Sequence, residues 1–250
     1  MPGTPDMEVQ VFFSPGEINE DAVRGRTVVV IDVLRASTSI ITAIHHGARG
    51  VIPAKSLEDA TEMVSKLGMD DVLLCAEREM ERVEGCDLGN SPAEYTRDRV
   101  EGRLLVLSTS NGSRAIVASQ NARKVIIGGY VNASRVVEEI AKGDSVVIAC
   151  AGHHGGFSLE DTACAGFLLH RLSETTGREI LPLNDGAWVA LELGKRTPKS
   201  PLRMIRRAAH SRRLEEAGYG GDLALCADVD SHPVLPVLKD HVIVHSDQVS

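Results

Sequence analysis

The composition of this 250-residue chain is typical of a soluble globular protein with an acidic surface, since 43% of its residues are hydrophobic, 25% are charged and the formal net charge is −8. The acidic balance disfavours a general nucleic-acid binder, and no apolar stretch approaches the roughly 18 residues of a membrane span. Five cysteines without a C-x-x-C pair, and an amino terminus without a signal-peptide pattern, predict a cytoplasmic protein with reduced thiols. Neither nucleic acid nor membrane is expected as a partner.

Short apolar strands alternate with helical segments through most of the chain. Strands are predicted at 8–13, 28–31, 51–53, 72–75, 104–107, 125–127 and 146–149. Helices are predicted at 39–46, 56–68, 114–120, 134–141 and 159–172. This alternation predicts an α/β fold with a mostly parallel sheet and helices on both faces.

The C-terminal part has a different pattern. Thr197-Pro-Lys-Ser-Pro201 is predicted to be a linker, followed by one helix that has Ser200 as its cap and ends near Gly218. We predict a main α/β catalytic domain over 1–196 and, over 197–250, a C-terminal helix and strand segment packed on that domain or completing it. The arginines of this helix either face an anion or, as the more ordinary alternative, lie on a solvated face or a subunit contact: Arg203, Arg206, Arg207, Arg212 and Arg213.

Three units, at 28–46, 104–119 and 146–172, share the order strand, polar loop, helix. Ligands of parallel sheets bind outside the carboxyl ends of the strands, so these loops are predicted to converge on one site. In the first unit a buried strand delivers Asp32, and Arg35 precedes a helix start, where unpaired N–H groups attract anions. This combination indicates phosphate or carboxylate chemistry. The alternative is an ordinary strand-to-helix turn whose Ser and Thr residues cap the helix.

Other polar residues follow the remaining strands. They lie in Asp87-Leu-Gly-Asn-Ser-Pro92, Thr109-Ser-Asn-Gly-Ser113, Asn132-Ala-Ser134 and Ser158-Leu-Glu-Asp161. Glu160 and Asp161, at the start of a helix, either form a metal site or belong to a capping box. Dinucleotide and P-loop glycine motifs are absent, and Cys150 lacks the arginine six residues later that a thiolate phosphatase needs. His153 and His154 are a weaker metal candidate, because they lack H-E-x-x-H spacing.

These polar stretches occur in an order that resembles the 2-phosphosulfolactate phosphatase family. The matching residues are 32–38, 87–92, 110–113, 132–133, 150–152, 159–161, 211–214, Gly218, Asp222 and 230–236. The resemblance implies magnesium-dependent hydrolysis of (R)-2-phospho-3-sulfolactate to 3-sulfolactate and phosphate, a step towards coenzyme M. Two stretches depart from the family pattern: Gly-Glu-Arg-Gly-Gly is here Ala76-Glu-Arg-Glu-Met80, and Thr-Thr-Asn-Gly-Thr is here Thr109-Ser-Asn-Gly-Ser113. The first departure leaves the exact substrate open.

From the residues and the resemblance together we predict a magnesium-dependent phosphomonoesterase for a small, multiply anionic 2-phospho acid. The predicted catalytic residues are Asp32, Arg35, Asn111 and Asp161, and the predicted ligands of Mg²⁺ are Asp32, Glu160 and Asp161. The predicted substrate-binding residues are Ser37, Thr38, Arg78, Asn90, Ser91, Ser110, Gly112, Ser113, Asn132 and Gly152. Arg35 and Arg78 are assigned to phosphate or sulfonate, and the Asn111 loop to charge on the transferring phosphoryl group. Whether Asp32 is nucleophile, base or metal ligand is left open.

Several alternatives stay open at this point. The protein is a phosphatase of another small 2-phospho acid, an isomerase or dehydrogenase that binds a nucleotide or sugar phosphate on the same sheet, or a non-catalytic anion-binding protein that keeps the pocket. The missing glycine fingerprint counts against a dehydrogenase. We also predict a small anionic phosphorylated substrate as partner and a homo-oligomer, of which a dimer is the simplest form.

Overall fold

Strands and helices alternate along the part of the chain that the computed structural model describes, residues 6–68, 70–109, 111–196 and 200–249. The strands are β1 (Met7–Phe12), β2 (Thr27–Ile31), β3 (Gly50–Ala54), β4 (Val72–Arg78), β5 (Glu81–Arg82), β6 (Leu104–Ser108), β7 (Lys124–Gly128), β8 (Ser145–Cys150), β9 (Ile180–Pro182), β10 (Pro236–Lys239) and β11 (Val242–His245). The helices are α1 (Glu20–Val23), α2 (Ala36–His45), α3 (Leu57–Leu67), α4 (Arg97–Val100), α5 (Gly112–Ala118), α6 (Ala133–Ile140), α7 (Leu159–Thr176), α8 (Asp185–Gly194), α9 (Pro201–Ile205), α10 (Ala209–Glu216) and α11 (Asp222–Cys226). No described helix is long and apolar enough to cross a membrane.

Within the described residues the strands form one mixed sheet in the order β5-β4-β6-β3-β11-β10-β7-β2-β8-β1-β9. Most of it consists of two blocks of parallel strands, a short block β4-β6-β3 and a long block β7-β2-β8-β1-β9. In β2, Val29 is paired with Ile126 of β7 on one side and with Ile148 of β8 on the other. The predicted α/β fold with a mostly parallel sheet is confirmed.

Helices cover both faces of the long block, because alternate residues of a strand point to opposite sides. In β2, Val28 and Val30 belong to a core shared with residues of α2 and α5, whereas Val29 and Ile31 belong to a core shared with residues of α6 and α7. All five residues of β2 are buried. This two-sided burial explains why the strand has a continuous apolar sequence instead of an alternating one.

The C-terminal segment completes the same sheet, since its β10–β11 hairpin lies between the two parallel blocks. Val237 of β10 pairs antiparallel with Ile126 of β7, and Ile243 of β11 pairs antiparallel with Val51 of β3. Residues 197–199 of the predicted linker lie outside the described part of the chain. The hairpin therefore joins the long block to the short one through backbone hydrogen bonds.

A break interrupts the single helix that the sequence predicts between Ser200 and Gly218. The structure has two separate helices, α9 and α10, with Ala208 in extended conformation between them. The hydroxyl of Ser211 donates to the carbonyl of Ile205 at the end of α9. This side-chain bond satisfies a helix-end carbonyl locally and competes with continuation of the helix.

The helices α7 and α8 cross at backbone contact distance. A Cβ atom on Gly166 of α7 would lie 1.9 Å from the carbonyl oxygen of Ala190, and one on Gly194 of α8 would lie 2.3 Å from the carbonyl oxygen of Gly166. No side chain fits between the two helices at this point. Glycine is therefore required at both positions by the crossing itself.

The substitution Gly166→Ala is expected to lower the free energy of unfolding by about 2 kcal/mol or more, in the upper part of the range for overpacked cores. The measurement is urea denaturation followed by circular dichroism. Gly16→Ala is the matched control, because Gly16 is exposed and an added Cβ would have nothing within 4 Å. Equal unfolding midpoints for the two variants would contradict the close crossing.

Candidate active site

A pocket of about 230 Å³ opens where the carboxyl ends of β2, β4, β6 and β8 meet. It is lined by Asp32, Leu34, Glu77, Arg78, Glu79, Met80, Asn90, Thr109, Asn111, His153, His154, His210 and Arg213. Asp32 comes from the first strand-loop-helix unit, Thr109 and Asn111 from the second, and His153 and His154 from the third. The predicted convergence of the three loops is confirmed.

Asp32 is a buried carboxyl group at the end of β2. Its backbone is fixed by Ser37, whose Oγ accepts the Asp32 N–H at 2.8 Å and whose N–H donates to the Asp32 carbonyl at 2.9 Å. Burial raises the pKa of Asp32 from 3.8 to about 6, the proximity of Glu160 and Glu77 adds to this rise, and His210 opposes it. The carboxyl group therefore lies in a desolvated environment that already contains other acids, which favours a bound cation.

The loop between β6 and α5 packs directly on Asp32. A Cβ atom on Gly112 would lie 2.7 Å from Asp32 Oδ2 and 2.5 Å from the Ala36 Cβ, so only glycine allows α5 to begin here. Ser113 accepts the Thr109 N–H at 3.3 Å, and its own N–H donates to Thr109 Oγ1 at 3.2 Å. These bonds close the loop internally and leave Asn111 in the pocket wall. Ser110, also predicted for the site, lies outside the described residues.

Asp161 links the loops that follow β2 and β8. Its Oδ1 accepts the Val33 N–H at 2.8 Å, and its Oδ2 accepts the Gly152 N–H at 3.2 Å. Burial beside Glu160 and Asp32 raises the pKa of Asp161. Because both carboxyl oxygens are hydrogen-bonded to the main chain, the structure gives Asp161 a role in positioning the two loops. Gly152 has a φ of +69°, and its predicted contribution to the site is the N–H donated to Asp161.

Glu160 faces a group of pocket side chains that are not among the catalytic, substrate-binding or metal-binding residues predicted from the sequence, although His153 and His154 are its weaker metal candidate. Its Oε1 lies 3.4 Å from Nδ1 of His210, whose ring centroid is 4.7 Å from that of His153. Arg213 Nη1 is 2.9 Å from His154 Nε2 and 3.4 Å from His153 Nε2. Burial and the neighbouring imidazoles lower the pKa of His153 to about 4. His210 and Arg213 belong to α10, within or next to the 211–214 stretch of the resemblance. Arg213 is also one of the arginines for which the sequence leaves an anion-facing role open, and it lines the pocket.

Arg35 is buried outside the pocket lining, where its guanidinium group cross-links distant segments. Nη1 donates to Asp222 Oδ2 at 2.9 Å, and Nη2 donates to the Met80 carbonyl at 2.6 Å. The guanidinium carbon lies 4.5 Å from the centre of the Tyr219 ring. Ser91, also predicted to bind substrate, donates to the other Asp222 oxygen at 2.7 Å. Both predicted residues are therefore hydrogen-bonded to the buried carboxylate of Asp222.

Three further predicted residues make buried contacts with the main chain. Thr38 Oγ1 donates to the Val33 carbonyl at 3.0 Å, and Ser37 bonds to Asp32 as described above. Asn132 accepts the Gly129 N–H at 3.0 Å and donates to the carbonyls of Ile127 and Val234, each at 3.1 Å. None of these side chains is among the pocket-lining residues that the structure describes. The bonds of Ser37 and Thr38 are therefore those of an ordinary strand-to-helix turn, which is the alternative that the sequence left open.

One side of the pocket is formed by Asn90 and by residues 77–80, which belong to the stretch that departs from the family pattern. Glu77 Oε1 accepts the Met80 N–H at 2.7 Å, and Asn90 Nδ2 lies 3.4 Å from Glu77 Oε2. Asn90 Oδ1 is buried without a hydrogen-bond partner among the described residues. Glu79 and Met80, which replace two glycines, have φ angles of +52° and +75°. Such angles suit glycine, so the substitutions keep a backbone that L side chains rarely adopt.

Several known proteins are similar to this chain over nearly its whole length. A family model described as 2-phosphosulpholactate phosphatase matches residues 12–241. A "Probable 2-phosphosulfolactate phosphatase" of Caldanaerobacter subterraneus subsp. tengcongensis is 36% identical over 238 residues, which cover 95% of this chain and 98% of that protein.

Two further relatives carry the same name. The Clostridium beijerinckii protein is 34% identical over 94% of this chain and 98% of its own length. The Thermotoga maritima protein is 35% identical over 89% of this chain and 93% of its own length. The chain therefore belongs to the 2-phosphosulpholactate phosphatase family, a family of phosphoric monoester hydrolases.

Proposed function

We propose that the protein is a magnesium-dependent phosphatase that hydrolyses (R)-2-phospho-3-sulfolactate to 3-sulfolactate and phosphate, the kind of step that leads to coenzyme M. The observation that carries this proposal is the buried Asp32 carboxyl group in a pocket that also holds Arg78 and Arg213. A carboxylate for a metal ion and two cations for substrate oxygens are what phosphoryl transfer requires. Family membership supports the choice of substrate.

The pocket offers oxygen atoms of the kind that Mg²⁺ prefers. Asp32 and Glu77 supply carboxylates, and Asn90 supplies a buried amide oxygen without a partner among the described residues. No group of three or more His, Cys, Asp or Glu side chains within that part of the chain is spaced to hold a metal ion by itself. This fits Mg²⁺, which usually keeps several waters and binds through one or two carboxylates plus substrate phosphate.

The proposed magnesium ligands differ from the set predicted from sequence. Asp32 is retained, whereas Glu77 and Asn90 replace Glu160 and Asp161. Asp161 has both oxygens hydrogen-bonded to main-chain N–H groups, and Glu160 faces His210. When bound, Mg²⁺ would offset negative charge on the phosphoryl group and polarise it.

Substrate binding and proton donation are assigned to side chains of the protein. Arg78 and Arg213 bind substrate oxygens, and Asn111 donates to the phosphoryl group from the β6–α5 loop. Water attacks phosphorus and releases one proton to the solvent, the bond from phosphorus to the ester oxygen breaks, and that oxygen takes up a proton. His210, held against the Glu160 carboxylate at the pocket wall, supplies this proton.

A second candidate function is hydrolysis of another small 2-phospho acid. The specific observation in its favour is that Glu79 and Met80 line the pocket where the family pattern has two glycines. A bulkier and more acidic wall changes the shape and charge that a substrate meets. Both candidates share one chemistry and differ only in the group attached to the phosphorylated carbon.

The first expected outcome concerns the metal. Phosphate release from phosphosulfolactate should stop in excess EDTA and return when Mg²⁺ is added beyond the chelator. Without the metal ion, the carboxylates of Asp32 and Glu77 face the negative phosphoryl group with no cation between them. The measurement is colorimetric detection of inorganic phosphate, with Asp32→Asn protein from the same purification as a control for contaminating phosphatases. Full activity in excess EDTA would contradict the metal requirement.

A second expected outcome concerns Asp32 and stability. A raised folded-state pKa means that the folded protein binds the proton of Asp32 more tightly than the unfolded chain does, so this group lowers stability as pH rises from about 4 to about 6. Asp32→Asn should abolish phosphatase activity yet raise the free energy of unfolding at pH 7.5 by about 1–3 kcal/mol.

The stability gain is measured by urea denaturation in EDTA at a series of pH values. It should shrink as the pH falls from about 6 to about 4 and be absent below about pH 3, where Asp32 is protonated in both states. Asp21→Asn, at an exposed position of α1, is the control and should change little. A loss of stability in Asp32→Asn, or a gain that does not depend on pH, would contradict the described environment of Asp32.

A further inference from the structure

A second cavity, of about 240 Å³, adjoins the candidate active site. It shares Glu77, Arg78 and Thr109 with the first pocket, so the two cavities meet along the end of β4 and the start of the β6–α5 loop. Its walls also carry Lys55 and Arg114. Three cationic side chains therefore surround a space that opens beside the proposed phosphate site.

Sheet topology explains why these cations come together. Lys55 follows β3, Arg78 ends β4 and Arg114 lies in the first turn of α5, directly after β6. The strands β4, β6 and β3 are parallel neighbours in the sheet, so their carboxyl ends lie side by side. Three separate chain segments thus deliver one positive charge each to the same edge of the short block.

In the part of the chain that the structure describes, none of the three cations forms an ion pair within 4 Å, although Arg78 is near enough to Glu58 to interact with its charge. No hydrogen bond or ion pair within 4 Å joins the side chain of Lys55, Arg78 or Arg114 to a described residue. Glu77 directs its carboxylate oxygens towards the Met80 N–H and the Asn90 amide. The other acid of this cavity is the exposed Glu58, on the first turn of α3. Hydrogen bonds to its own backbone and to Ser56, together with the positive charge of Arg78, lower its pKa.

We propose that this second cavity binds the sulfonate group of the substrate and that Lys55 and Arg114 determine specificity for it. The inference rests on the proposed function. Phosphate and sulfonate are attached to adjacent carbons of 2-phospho-3-sulfolactate, and the two cavities share Glu77, Arg78 and Thr109 as lining residues. Arginine presents a fork of donors to an oxyanion, and lysine adds a compact charge.

This assignment replaces the role that the sequence gave to Arg35. The sequence predicts Arg35 and Arg78 as the cations for two anionic groups, but the guanidinium group of Arg35 is bonded to Asp222 and to the Met80 carbonyl, and Arg35 does not line the pocket. Lys55 and Arg114 supply the missing positive charge from the other side of Arg78. Neither residue belongs to the stretches that carry the family resemblance.

The test compares phosphosulfolactate with 2-phospholactate, which keeps the phosphate and carboxylate but lacks the sulfonate. Lys55→Gln and Arg114→Gln should each lower kcat/KM for phosphosulfolactate by about 10–100-fold, the loss expected for one set of charge-assisted hydrogen bonds. The loss should appear mainly in KM, because the sulfonate takes no part in breaking the phosphorus–oxygen bond. For 2-phospholactate the same variants should change kcat/KM by less than about threefold, since no sulfonate contact is removed.

The matched controls are Lys66→Gln and Arg97→Gln, exposed cations that line neither cavity, and both should behave like wild type. Thermal unfolding of every variant establishes that it is folded. Equal losses on both substrates, or no loss on either, would overturn the sulfonate site while leaving the proposed phosphatase activity standing.

Binding of the product 3-sulfolactate, measured by isothermal titration calorimetry, tests the same cavity without turnover. Wild type should bind 3-sulfolactate at least about tenfold more tightly than the Lys55→Gln, Arg114→Gln double variant, which is about 1.4 kcal/mol. Lactate should bind both proteins equally weakly. If wild type releases no phosphate from phosphosulfolactate, the proposed function fails, and equal binding of 3-sulfolactate by the two proteins would overturn the sulfonate site separately.

Discussion

Asp161 fixes the relative position of two loops because its carboxylate accepts one main-chain N–H from each. The donors are Val33 after β2, at 2.8 Å, and Gly152 after β8, at 3.2 Å. Asp32 precedes Val33 and His153 follows Gly152, so the relative position of these two pocket residues depends on one buried carboxylate. The neighbouring Glu160, on the same first turn of α7, faces His210 of α10. A single helix start therefore orients side chains from three separate segments.

The positive and negative groups of the site are kept in place by different means. Arg35 is held by Asp222 and the Met80 carbonyl, so it ties the turn after β4, where Met80 lines the pocket, to α11. The pocket itself retains Asp32 in a desolvated setting that opposes its charge and leaves Asn90 Oδ1 without a partner among the described residues. Unfavourable local energies of this kind are typical of binding sites, where the ligand supplies the missing interaction.

The sequence predicts seven of the eleven described strands, the fold class and the convergence of the three loops, because buried parallel strands have continuous apolar runs and because carboxyl ends share an edge. It does not locate β5, β9, β10 or β11. Sequence patterns do not predict contacts between residues that are far apart along the chain. Arg35 is a plausible anion ligand in its local motif, yet its carboxylate partner lies 187 residues further along the chain. His210 lines the pocket from the first turn of α10, which a propensity argument joins to α9 in one helix. Lys55 and Arg114 likewise carry no motif, and only the strand order of the sheet reveals that they are neighbours.

The position of the β10–β11 hairpin has a consequence for how the chain folds during synthesis. Both parallel blocks are complete by Pro182, yet their edge strands β3 and β7 have no partner on the facing side until residues 236–245 have emerged. Until then the nascent chain exposes two unpaired strand edges, the kind of surface on which chaperones act and through which chains associate wrongly. Closure of the sheet is thus a late, long-range event, and it places the last strands to be translated at the centre of the molecule.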